Sequence, residues 1–107
     1  MQPEDGPFEY VPGSHRLDAR RLQWEQRTAD AAIRHQRQPD VSGSFRIQEA
    51  ALADLHLPAP KAFTCPANTL VLADVFGFHR RGSALPGRRR LALYGWNRPY
   101  PFLPISW

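Results

Sequence analysis

The amino-acid sequence predicts a small, mainly β fold with two helical insertions. Two stretches have the residue periodicity of helices, whereas the other apolar runs are only four to seven residues long, as strands are. Eleven prolines and seven glycines among 107 residues imply that tight turns separate these elements. The apolar runs expected to form strands are 8–11, 61–65, 69–75 and 91–96.

The first strand is expected close to the N-terminus and leads directly into a helix. Phe8 to Val11 is a short, partly alternating run that Pro12-Gly13 ends, as a strand closing in a turn. Ser14 or Asp18 then offers a side-chain oxygen that can cap the N-terminus of a helix.

The first helix is expected to run from Leu17 to about Gln38, where Pro39 ends it. Leu22, Ala29 and Ile33 form an imperfect apolar stripe along it, and arginines and glutamines occupy the other positions. We therefore expect this stripe to pack against the rest of the fold.

A turn-rich linker, 40–44, separates this helix from a shorter one. Ser42 or Ser44 can cap the second helix, which is expected from Ile47 to Leu55 because its apolar residues share one face. Pro58 and Pro60 stop it. Both helices are thus predicted between residues 15 and 56.

The C-terminal half predicts three further strands. Lys61 to Cys65 is followed by a turn at 66–68, and then by Thr69 to Val75, which scarcely alternates and is expected to be buried on both faces. A glycine- and proline-containing turn over 81–87 precedes the run from Leu91 to Trp96. The two apolar runs on either side of this turn indicate a strand, a turn and a strand.

Charge and cysteine content exclude several classes of protein. The net charge of +4 comes from 13 arginines and one lysine against ten acidic residues, and it is spread along the chain, so a nucleic-acid partner is disfavoured. Cys65 is the only cysteine, which excludes an internal disulfide and fits a reducing cytoplasm. No run approaches the ~20 apolar residues that span a bilayer, so no membrane partner and a cytoplasmic location are expected.

Two motifs carry a resemblance to a known family. The segment Phe76-Gly77-Phe78-His79 is followed, eleven residues later, by Arg90, and the N-terminal strand ends in Pro12-Gly13-Ser14-His15. In this order the chain resembles the phytanoyl-CoA dioxygenase family of iron(II)- and 2-oxoglutarate-dependent oxygenases. The family fold is a double-stranded β-helix (jelly roll, cupin-like) of antiparallel strands. The resemblance covers most of the chain.

The resemblance implies roles for two residues. His79 would be a ligand of Fe(II), since a neutral imidazole is a good iron ligand. Arg90 would bind the distal carboxylate of 2-oxoglutarate through two parallel hydrogen bonds, which a lysine cannot reproduce. Strand alternation places Arg88 and Arg90 on one face and Arg89 on the other, so Arg90 is preferred, although a slip of one residue reverses this assignment.

The chain departs from the family in one essential feature. The family's other two iron ligands form a His-x-Asp pair before the Pro-Gly-Ser-His turn, and this sequence has no His-x-Asp. Residues 1–107 therefore resemble a single partial domain, the C-terminal part of the barrel, inactive alone. The missing ligands would come from a second polypeptide or from a longer N-terminus of the chain, or the site would stay incomplete.

Three hypotheses about function stay open at this stage. The first is a hydroxylase of a small organic substrate, once its iron site is completed. The second is a non-catalytic truncated barrel module or structural protein, which forms a homodimer through the open sheet edge. The third is a small arginine-rich nucleic-acid binder, whose affinity would fall steeply with salt.

Overall fold

A computed structural model of the chain describes residues 1–34 and 46–95. These residues form a small mixed fold in which a three-stranded antiparallel sheet is accompanied by two helices. Helical residues outnumber strand residues, so the described part is mixed rather than mainly β. The elements in chain order are β1 (Phe8–Tyr10), α1 (Ala19–Arg34), α2 (Glu49–Asp54), β2 (Lys61–Phe63) and β3 (His79–Arg81).

The strand nearest the N-terminus forms the centre of the sheet, in the order β2-β1-β3. Both outer strands run antiparallel to β1, so its residues are paired on two sides. Phe8 lies opposite Phe63 and Arg81, and Tyr10 lies opposite Lys61 and His79. The sheet thus brings His79 next to the strand that precedes the Pro-Gly-Ser-His turn.

Several sequence predictions are confirmed within the described residues. Strands occur inside the predicted runs 8–11 and 61–65, and both helices lie between residues 15 and 56. Asp18 caps α1, because its Oδ1 accepts a hydrogen bond of 2.8 Å from the amide of Arg21. Gln48 is the N-cap of α2 and makes no side-chain cap bond. The predicted caps Ser42 and Ser44 lie outside the described residues, as does the predicted C-terminal end of the first helix.

The predicted strand from Thr69 to Val75 is wrong. The segment is neither helix nor strand, and the side chains of Leu70 and Leu72 are 81% and 86% exposed. The apolar run has the composition of a strand that is buried on both faces, but no described element pairs with it or packs over it. Burial of an apolar run requires a neighbouring element as well as a suitable composition.

The predicted strand from Leu91 to Trp96 also fails over the residues that the structure describes. Residues 91–95 have no regular structure, and Leu91 and Leu93 are fully exposed. Trp96 lies outside the described residues. A turn does follow β3, since the amide of Arg88 donates to the carbonyl of Leu85, but no hairpin partner forms after it.

The apolar stripe predicted for α1 is not the face that packs. Ile33 is 76% exposed and Leu22 is exposed, whereas Arg21 is buried and Trp24 is half-buried. The helix is therefore turned so that an arginine and a tryptophan face inward. The fully buried apolar side chains of the described residues are Val11, Leu52 and Leu55.

Within residues 1–34 and 46–95, no helix combines the length and the apolar character needed to cross a membrane.

Candidate functional site around His79

The two faces of the sheet differ in chemistry. Successive side chains of a strand point to opposite faces, so Phe8, Tyr10, Phe63 and His79 share one face, which we call the aromatic face. By the same register, Lys61 and Arg81 also lie on this face. The ring of Phe8 lies 6.1 Å from those of Tyr10 and Phe63, centroid to centroid. The other face carries the ion pair of Glu9 with Arg80.

His79 begins β3 and presents its ring on the aromatic face. The imidazole centroid lies 5.8 Å from the ring of Phe8, and the side chain is otherwise exposed. Its Nδ1 lies 2.8 Å from the carbonyl oxygen of Gly77. A carbonyl oxygen only accepts, so Nδ1 carries the hydrogen in this bond, and in the corresponding neutral tautomer the lone pair lies on Nε2.

The segment before His79 is attached to the Pro-Gly-Ser-His turn through Ser14. The hydroxyl of Ser14 donates to the carbonyl of Val11 at 2.7 Å and accepts the amide hydrogen of Phe78 at 2.8 Å. The amide of Val11 in turn donates to the carbonyl of Phe78 at 2.9 Å. Ser14 is only 2% exposed, so these bonds are shielded from water.

Arg21 joins the same two segments from helix α1. Its Nη1 donates to the carbonyl of Ser14 at 2.7 Å, and its Nη2 donates to the carbonyl of Phe76 at 3.2 Å. The remaining Nε donates to Glu25 at 2.8 Å, which balances the charge. Arg21 is only 7% exposed, and each of its three guanidinium nitrogens donates a hydrogen bond, which offsets the cost of burying the charge.

Aromatic rings complete the surroundings of Arg21. Its Cζ lies 3.9 Å from the ring centroid of Phe78 and 4.8 Å from that of Phe76. Trp24 meets Phe78 edge to face, with centroids 5.3 Å apart. Cation–π attraction and stacking thus add to the hydrogen bonds that hold residues 76–78.

Tyr10 fixes the segment from the aromatic face. Its hydroxyl donates to the carbonyl of Asp74 at 3.0 Å, and burial together with the nearby Asp74 carboxylate raises the pKa of this phenol. The carboxylate of Asp74 accepts from the amide of Phe76 at 2.9 Å rather than from His79. Asp74 therefore shapes the turn before His79, and no described hydrogen bond joins its carboxylate to the imidazole.

Arg90 lies at the N-terminal segment, and no described hydrogen bond joins it to His79. Its Nη1 donates to the carbonyl of Gly6 at 2.8 Å, and its Nη2 donates to the hydroxyl of Tyr94 at 2.5 Å. The side chain is half-buried. Its Nη1 also contacts the Sδ of Met1 at 4.0 Å. Each terminal nitrogen of a guanidinium carries two hydrogens, so Nη1 has a partner for both, whereas Nη2 retains one for a further acceptor.

A cleft of about 780 Å³ lies on the other side of the sheet, between β3, α1 and the segment leading into α2. Trp24, Ile47, Leu52 and other apolar side chains line it. The Nε of Arg80 bonds the Glu9 carboxylate at 2.5 Å, and this hydrogen bond and the attraction of the charge raise the pKa of Arg80. His79 is itself among the residues that line this cleft, although strand alternation places its side chain on the face of the sheet opposite to those of Glu9 and Arg80.

The donor set fits an iron site only in part. Among residues 1–34 and 46–95, no group of three or more histidine, cysteine, aspartate or glutamate side chains lies close enough to hold a metal ion. His79 has the form expected of a ligand, since one ring nitrogen is bonded to a carbonyl and the other remains for a metal.

Sequence reasoning identified His79 and Arg90 but missed the role of Arg21. Arg21 stood among several arginines of a helix whose apolar stripe appeared to face inward, and no local signal separates it from them. Ser14 was noted as a helix cap, and its bonds to Val11 and Phe78 depend on chain segments far apart in sequence.

Comparison of the chain with protein-family models, with curated proteins and with solved structures finds no match.

Proposed function

We propose that this chain is the C-terminal part of a double-stranded β-helix oxygenase of the phytanoyl-CoA dioxygenase type. In this proposal His79 is one of three protein ligands of Fe(II), and Arg90 anchors 2-oxoglutarate. A His-x-Asp segment on another polypeptide, or on a longer form of the chain, supplies the other two ligands. The iron and the cosubstrate supply the oxygen chemistry that hydroxylates a small organic substrate.

The hydrogen bond between His79 and Gly77 is the observation that carries the proposal. Histidine ligands of metals usually donate their second ring N–H to a carbonyl or a carboxylate, which fixes the tautomer and the ring orientation. His79 makes this bond through Nδ1, which leaves Nε2 as the nitrogen available to a metal, and the residue is exposed. The aromatic face corresponds to the inside of the proposed barrel.

Exposed apolar side chains support the idea of a partial barrel. Leu70, Leu72 and Val75, in a run with the composition of a buried strand, are 71% exposed or more, and Leu91 and Leu93 are bare. Segments of this kind are expected where further strands of the same sheet system are needed to cover them.

The structural support for the role of Arg90 is weaker than that for His79. It contacts Gly6 and Tyr94 and lies outside the set of described contacts of His79. Binding of a carboxylate to both terminal nitrogens requires the free hydrogen of Nη2 and replaces the long contact between Nη1 and the Met1 sulfur. The sequence order of histidine and arginine, rather than a measured distance, supports this part of the proposal.

An anaerobic titration with Fe(II) and 2-oxoglutarate tests the proposal. The chain is titrated alone and together with the polypeptide encoded immediately upstream, and binding is followed by calorimetry and by the weak visible charge-transfer band. We expect saturable binding in the second preparation, lost in His79→Ala and weakened in Arg90→Ala. His56→Asn is the matched control, since His56 is exposed and its positive φ of 54° suits asparagine. Binding that survives His79→Ala, or no binding in either preparation, contradicts the proposal.

The second candidate is a non-catalytic module that forms a homodimer through a sheet edge. The specific observation is that β2 and β3 are the outer strands of the described sheet, so each has one edge without a described partner. Unpaired strand edges promote pairing with another chain. Light scattering at high protein concentration distinguishes a monomer from a homodimer, and a monomer counts against this candidate.

A further inference from the structure

The residues just before His79 are held from two sides by groups that the iron proposal does not use. The amide of Phe78 bonds to the hydroxyl of Ser14, and the carbonyl of Phe76 accepts from Arg21. Gly77, whose carbonyl accepts from the His79 ring, lies between these two attachment points. The bonds of Phe76 and Phe78 therefore fix the position of the Gly77 carbonyl.

We propose that Ser14 and Arg21 are positioning residues that select the orientation and tautomer of the His79 imidazole. By fixing residues 76 and 78, they hold the Gly77 carbonyl where only an Nδ1–H can reach it, so the lone pair stays on Nε2. The functional meaning of this arrangement rests on the proposed metal role of His79. The arrangement itself does not need a metal.

The chemistry of Ser14 makes it difficult to replace. One buried hydroxyl both donates to Val11 and accepts from Phe78, at 2.7 and 2.8 Å. An alanine leaves the part-buried Phe78 amide without its acceptor, so we expect the segment to move to satisfy it. Movement of Phe78 shifts the adjoining Gly77 carbonyl.

Arg21 is equally specific. Its planar guanidinium reaches the carbonyls of Ser14 and Phe76 with two different nitrogens while its face lies 3.9 Å from the Phe78 ring centroid. A lysine keeps the charge, but its single nitrogen cannot reproduce this planar two-nitrogen geometry. Arg21→Lys therefore tests geometry separately from charge.

Nitrogen NMR of the His79 ring tests the inference in the metal-free chain, at about pH 8.5 where an imidazole is neutral. The two ring nitrogens have different shifts in the two tautomers, so the ratio of Nδ1–H to Nε2–H is measured directly. We expect Nδ1–H to dominate in the unmodified chain. In Ser14→Ala and in Arg21→Lys the ratio should fall about tenfold, the factor that corresponds to roughly one net hydrogen bond.

Matched controls keep the result specific. Ser83→Ala changes an exposed serine, and Arg27→Lys changes an exposed arginine of α1 whose hydrogen bond within the described residues is to the Gln23 carbonyl. Neither should change the ratio. Circular dichroism confirms that each variant remains folded. If one of the two test variants unfolds, the tautomer ratio of the other variant tests the inference.

The outcome separates this inference from the proposed function. A dominant Nε2–H form in the unmodified chain, or an unchanged ratio in a folded Ser14→Ala or Arg21→Lys variant, overturns the inference. An altered ratio confirms the positioning role even where the Fe(II) titration fails, and that failure bears on the proposed function alone. Where iron binds, both variants should also weaken its binding, whereas the controls should not.

Discussion

Gly77 is the residue at which the candidate site leaves least room. A Cβ added there would lie 2.0 Å from the Tyr10 hydroxyl oxygen, far inside contact distance. That hydroxyl is itself bonded to Asp74, so it cannot move away without losing the bond. We expect Gly77→Ala to lower the free energy of unfolding by about 1–3 kcal/mol, as overpacking does. Denaturant unfolding followed by circular dichroism measures the change.

Gly95 provides the comparison for this prediction. A Cβ at Gly95 would meet nothing within 4 Å, so Gly95→Ala should leave the unfolding free energy nearly unchanged. Equal stability of the two variants would show that Tyr10 does not pack against Gly77 as described. Tyr10→Phe removes the hydroxyl and should recover part of the loss in a Gly77→Ala background.

For single residues, the sequence indicates which side chains are chemically suited to a site better than it indicates their burial and hydrogen-bond partners. His79 was identified from its place between an apolar run and an arginine cluster, but its bond to Gly77 depends on backbone geometry that composition does not encode. Arg21 could not be separated from its neighbours, because its burial results from contacts with Ser14 and Phe76, the latter 55 positions away in the sequence.

Among the elements, the segment after β3 is attached to the N-terminal segment by polar contacts. The amide of Leu85 donates to the carbonyl of Glu4, Arg90 bonds the carbonyl of Gly6, and the Nε of Arg88 lies 2.9 Å from the Asp5 carboxylate. These contacts compensate for the absence of the expected hairpin partner. They also make the attachment dependent on the charge of Asp5.

This attachment predicts a response to acid. The Gln2 amide, which donates to the Asp5 carboxylate, and the positive charge of Arg88 hold the pKa of Asp5 below its usual value. A lowered folded pKa stabilises the fold above the unfolded value of about 3.9, and this contribution is lost as the pH falls through the lower folded value. Unfolding free energies measured from about pH 5 to pH 2 should therefore decline more steeply for the unmodified chain than for Asp5→Asn.

Glu4→Gln is the control for the acid prediction. Glu4 is the exposed neighbouring acid, and its carbonyl rather than its carboxylate makes the described bond to Leu85. Its variant should keep the pH profile of the unmodified chain. Parallel profiles for the unmodified chain and Asp5→Asn would rule out a stabilising role for the Asp5 charge.

The elements that sequence reasoning predicted correctly are those with strong local signals. Both helices follow from periodicity, the second also from Pro58 and Pro60, and the strands at 8–11 and 61–65 follow from short runs between turn residues. The runs 69–75 and 91–95 carry equally strong apolar signals but form no strand. A strand needs a second strand beside it, and no local pattern reports whether that partner is present.

The whole molecule combines a small core with extensive apolar exposure. Val11, Leu52 and Leu55 are the buried apolar residues of the described part, and at least four leucines at 70–93 are largely exposed. A domain of about 100 residues ordinarily buries many more apolar side chains, so the described part has little hydrophobic stabilisation of its own. The exposed runs are the surface that further strands or a second copy would cover.

The double variant Leu70→Ser, Leu72→Ser tests this view of the molecule. Both side chains are more than four-fifths exposed, so their loss should change the unfolding free energy of the isolated chain by no more than about 0.5 kcal/mol. Their removal should instead reduce self-association, measured by light scattering. Leu52→Ser, at a side chain only 4% exposed, is the contrasting control and should cost about 3 kcal/mol or more. A large loss of stability in the double variant would mean that the run 69–75 is already buried within the isolated chain, and the proposal of an incomplete barrel would then lose its main structural support.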